Sequence, residues 1–105
     1  MVVNMELTDY RKQLDQIDDM LLQLFVQRME ISEKIATYKK EKRLPVLDSK
    51  REEEKLRSIR ERCPDVYSEY AVSLFSGIME LSRSCQDRIL NDASETDCLD
   101  LKSAN

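Results

Sequence analysis

With 105 residues, one glycine, two prolines and 36% charged side chains, the chain is too short for two domains and too poor in turn formers for a sheet-rich fold. A formal net charge of −4 argues against a nucleic-acid binder, which carries a basic face, yet leaves room for a small cationic pocket. There is no histidine, which removes a histidine base and a Ser–His–Asp arrangement. The three cysteines (Cys63, Cys85 and Cys98) are too widely spaced for a zinc motif or a disulfide framework, and point to a reducing cytoplasm. No signal peptide and no apolar run approaching a membrane span is expected.

Residues 1–5 read as a short leader, with Asn4 or Thr8 placed to cap a first helix. From about 6 to about 42 there is neither Gly nor Pro. Leu7, Tyr10, Leu14, Ile17, Leu21, Leu24, Arg28, Ile31, Ile35 and Tyr38 recur there in alternating steps of three and four. This spacing predicts one helix of about 50 Å, long enough to need a partner along much of its length. Lys39, Lys40, Lys42 and Arg43 suit its C-terminal end, and Leu44-Pro45-Val46-Leu47 breaks it.

Asp48 or Ser49 then caps a second helix over about 49–62, with Leu56, Ile59 and Cys63 on its apolar face. Cys63-Pro64-Asp65 separates it from a third over about 65–90. The expected inner face of that helix is Tyr67, Ala71, Leu74, Ile78, Leu81, Cys85 and Ile89, with Phe75, Met79, Ser82 and Gln86 beside it. Residues 91–105 are polar and aperiodic and read as a frayed or disordered tail. The fold class expected is therefore all-α, a three-helix chain with one long N-terminal helix occupying residues 1–90. Its core would be thin, so pairing between chains is expected.

Arg28 is the charge that interrupts the apolar row, and such a charge needs a partner. An anionic ligand is one, and a carboxylate such as Asp18 or Glu52 is another. Arg11 and Arg28 stand about 25 Å apart along a helix, and Arg28 and Lys39 about 16 Å, so one chain does not gather all three on one small ligand by spacing alone. If two copies of the helix cross antiparallel near residues 20–22, Arg11 of one lies opposite about residues 29–33 of the other, giving two identical cationic sites. Guanidinium groups grip carboxylates bidentately, and Lys39 offers a compact charge for a single oxygen. Arg11 reads equally as a solvated surface residue, and Lys39 taken alone reads mainly as a surface residue, since Lys and Arg are common at helix ends.

Asp48, Arg51 and Glu52 share one face at the start of helix 2. Ser49 and Glu52 also fit a capping box, which accounts for Glu52 without a ligand. Ser82 and Gln86, one turn apart, suit hydrogen bonding into a pocket or between helices. No metal cluster is visible. An enzyme built from these parts would work by binding, orientation and electrostatics, as in a unimolecular rearrangement of a dicarboxylate.

The ordered set Leu14-Asp15-x-x-Asp18-x-x-Leu21-Leu22-x-Leu24, Arg28, Ile35-Ala36-x-Tyr38-Lys39, Pro45-Val46-x-Asp48-x-x-Arg51-Glu52 and Ile78-Met79-x-x-Ser82-Arg83-x-x-Gln86 resembles the all-helical, AroQ-class chorismate mutases over about residues 6–90. The resemblance implies an interlocked homodimer with two sites that converts chorismate to prephenate without cofactor or metal, on the route to phenylalanine and tyrosine. It implies Arg28 on one substrate carboxylate and Arg11 of the other chain on the second. Lys39 and Gln86 would then bond the ether oxygen and Glu52 the ring hydroxyl, with Arg51, Asp48 and Ser82 completing the pocket. Some relatives carry Glu at the Gln86 position and need it protonated, a requirement this chain is expected to lack. The same fold supports isochorismate pyruvate lyase, an alternative that the Arg51, Glu52 and Gln86 set and the loop from Lys39 to Asp48 disfavour. The chain is expected to be monofunctional, with association with another pathway enzyme left open. A helical dimerisation module without catalysis is the non-enzymatic alternative.

Overall fold

The computed structural model describes residues 2–91. It contains helices α1 (Val2–Lys42), α2 (Ser49–Arg62) and α3 (Asp65–Asn91) and is all-α, as expected. The expected tail lies, apart from Asn91, outside the described residues. The chain divides into two compact units, the first ending at Ile31 and the second beginning at Ser32, and α1 runs through that boundary.

α1 is longer than its periodic pattern suggested. It already includes Val2, so Asn4 and Thr8 lie inside the helix and neither is its cap. Nothing between Val2 and Asp9 breaks a helix, since Gly and Pro are both absent there. The C-terminal end closes in a Schellman arrangement. Leu44 N–H donates to the Lys39 carbonyl at 2.8 Å and Arg43 N–H to that of Lys40 at 3.3 Å. Arg43 takes the left-handed conformation this turn requires, at φ 57°, a place more often held by glycine. Pro45 follows directly and prevents any return to helix.

Asp48 is the N-cap of α2, its carboxylate accepting from Arg51 N–H at 3.0 Å. The Ser49–Glu52 capping box is therefore not formed, because the cap falls one residue earlier. Cys63 ends α2 in an extended conformation, as a residue before proline must, and its N–H still reaches the Ile59 carbonyl at 3.0 Å. α2 packs against α3 in the second unit. Ile59 is buried and Leu56 and Cys63 half-buried, which is the α2 face the periodicity marked.

The other faces differ from expectation. On α3 the buried residues are Met79, Ser82, Cys85 and Gln86. Of the predicted inner face, Cys85 is buried but Tyr67, Leu74 and Leu81 remain exposed. On α1 the nine apolar members of the row from Leu7 to Tyr38 are each 41–60% exposed, while the small residues Ser32 and Ala36, one turn apart and off that row, are buried. Among the described residues the buried apolar core is only Ala36, Ile59, Met79 and Cys85. Periodicity marks every face suited to packing, and a single chain covers only some of them. No helix among the described residues is long and apolar enough to cross a membrane.

Candidate functional site

Six of the eight expected site residues belong to the second unit. Lys39 stands in the last turns of α1, where its carbonyl accepts from Leu44 N–H. Its half-buried side chain bends toward the following loop, and Nζ donates to the Val46 carbonyl at 2.6 Å. One of its three hydrogens is thus committed to the loop, and two remain for other acceptors.

The loop delivers the chain to Asp48. This carboxylate caps α2 with Oδ1, and its backbone carbonyl accepts the first helical bond from Glu52 N–H at 3.1 Å. Arg51 supplies the capped N–H and its side chain is exposed. Glu52, in the first turn of α2, is half-buried and forms an ion pair with Arg83 of α3. That pairing takes the place of the capping box as the explanation of Glu52, and sequence reasoning gave Arg83 no role. Partners 31 positions apart meet only once α2 lies on α3, so no local pattern announces them.

Ser82 and Gln86, one turn apart on α3, are both 7% exposed. The Gln86 oxygen Oε1 is buried without a hydrogen-bond partner among the described residues. A buried polar atom left unpaired costs about 1–3 kcal/mol, so such an atom marks a place where a ligand group would be favoured. Rotation of the amide about its terminal torsion exchanges acceptor for donor, so this end of Gln86 can meet either kind of group.

Arg11 and Arg28 belong to the first unit. Arg11 is exposed; Arg28 is half-buried within the otherwise exposed row. Among the described residues no group of three His, Cys, Asp or Glu side chains is clustered to hold a metal ion. The eight expected residues therefore offer cationic donors, one amide, one hydroxyl and two acidic side chains at the start of α2, six of the eight within the second unit.

The family model for chorismate mutase type II matches residues 10–87, which is most of the chain and includes all eight of these positions. The chain belongs to that family. No curated protein and no solved structure matches it significantly.

Proposed function

We propose that this member of the chorismate mutase type II family converts chorismate to prephenate by intramolecular rearrangement, without cofactor, in the cytoplasm and on the route to phenylalanine and tyrosine. The observation that carries this reading is the match over residues 10–87, inside which Arg11, Arg28, Lys39, Asp48, Arg51, Glu52, Ser82 and Gln86 all keep residue types suited to the task. The mutase domain would occupy residues 1–90.

The chemistry gives each residue work. The substrate's enolpyruvyl arm must fold over its ring before the new C–C bond forms and the C–O bond breaks. Arg28 holding one carboxylate and Arg11 the other favours that folded conformer. Negative charge gathers on the ether oxygen as its bond to the ring breaks, and the Lys39 ammonium and Gln86 amide donate to it more strongly in the transition state than in the ground state. Glu52 accepts from the ring hydroxyl, and Asp48, Arg51 and Ser82 complete the enclosure.

In this reading the working unit is an intertwined homodimer, with Arg11 crossing from one chain to the other's site. The long exposed row on α1 supports it. Nine apolar side chains at heptad spacing, beside a buried apolar core of four residues among those described, leave the single chain short of burial that a second copy of the same helix would supply.

The test is turnover of chorismate, with prephenate identified by its acid conversion to phenylpyruvate and isochorismate offered in parallel. Prephenate from chorismate is the expected result. Pyruvate from isochorismate alone would replace this reading by the lyase, and no turnover of either by a folded dimer would leave a helical binding module.

A further inference from the structure

The geometry points to Arg83 as a positioning residue that aims Glu52 at the substrate's ring hydroxyl. The inference rests on the proposed mutase reading and adds to it a residue with no role there. Three features carry it. The Arg83–Glu52 pair joins α3 to the first turn of α2, bringing together side chains that are 31% and 24% exposed. It is more sheltered than the Arg60–Glu69 ion pair, whose side chains are 54% and 74% exposed. Arg83 also lies between Ser82 and Gln86, the two buried polar residues of α3, so whatever fixes Arg83 fixes it beside them.

The bonding pattern is asymmetric. Arg60 reaches both oxygens of Glu69, at 3.0 and 3.2 Å. Arg83 donates from Nη1 to Oε1 of Glu52 alone. The Glu52 carboxylate is thus held at one oxygen, and Oε2 is not bonded by the arginine. A carboxylate held in this way keeps one acceptor at a direction set by the packing of α2 on α3, as a hydroxyl-binding group requires.

The pair also solves an electrostatic difficulty. Chorismate carries two carboxylates, and a bare Glu52 beside it would be a third like charge. With Arg83 bonded to Glu52 the pair is neutral overall, so the glutamate can accept a hydrogen bond without repelling a dianion. Arg83 acts through Glu52 and does not itself touch the substrate.

A double-mutant cycle tests this on the 105-residue chain. Arg83→Met is expected to lower kcat/KM for chorismate by about tenfold, since small displacements of a positioning group are costly. In a Glu52→Gln background the same change should alter kcat/KM less than about twofold, because there is no carboxylate left to aim. Arg83→Lys, which keeps one donor and the charge, should recover part of the loss. It also carries the cycle if Arg83→Met fails to fold. An equal loss with and without Glu52 would overturn the proposal in favour of direct substrate contact. A folded Arg83→Met protein with unchanged kcat/KM and a lower unfolding midpoint would overturn it in favour of a purely structural ion pair. No loss from Glu52→Gln would overturn it too. Failure of the wild-type protein to turn over chorismate would instead overturn the mutase reading itself, and this inference with it.

Discussion

Gln86 is where the chemistry of one side chain has the clearest consequence. Its amide does not titrate, so its donor persists at every working pH. On the proposed mutase reading, the carboxyl of Gln86→Glu would donate to the ether oxygen only while protonated. The variant should therefore be most active in acid and lose activity as pH rises through the carboxyl pKa. That value is about 4.3 in a free glutamate and is raised by burial. A pH–rate profile for kcat/KM checks this, and a flat profile for both proteins would remove Gln86 from the ether oxygen. At this scale the sequence was informative about residue types and uninformative about pairings. Gln86 and Ser82 stood out as polar residues beside an apolar line, and the structure buries both. Glu52 was legible as acidic but its partner was not. The Arg83 bond depends on how two helices approach, and helical periodicity carries no record of that approach.

Among the elements, the turn after α1 holds a correctable strain. Arg43 occupies a left-handed position at φ 57°, where a Cβ is disfavoured. Arg43→Gly should raise stability by about 0.5–1 kcal/mol, since relief of that strain exceeds the greater freedom glycine has in the unfolded chain. The shift in urea midpoint at constant slope measures it. The limits of α2 and α3 were legible to within a residue because Pro64 and a good capping residue, Asp48, frame them. The start of α1 was not, since no Gly or Pro before the first periodic residue, Leu7, marks where the helix begins. The helix faces were read correctly on α2, where the partner α3 belongs to the same chain. On α1 the apolar row stays exposed while the small residues Ser32 and Ala36 pack, and on α3 Tyr67, Leu74 and Leu81 stay exposed while Met79, Ser82, Cys85 and Gln86 are buried.

For the molecule as a whole, the exposed row on α1 and the Arg11–Arg28 spacing lead to one experiment. Arg11→Ala and Arg28→Ala proteins should each lose about a hundredfold or more in kcat/KM, as expected when one member of a charge pair with substrate is removed. Unfolded and refolded together, they should regain activity. In a mixed dimer one site holds both defects and the other neither, so an equal mixture should approach about one quarter of wild-type activity. Confirmed heterodimers without that recovery would show that each site is built from one chain. Nine uncovered apolar side chains on one helix have a last implication. If a second copy is what covers them, folding becomes a bimolecular reaction, and the unfolding temperature should climb with protein concentration. Dilution would then act on this protein as a mild denaturant. Specific activity should fall as the solution thins, so the amount of chain a cell makes would itself set how much of it works.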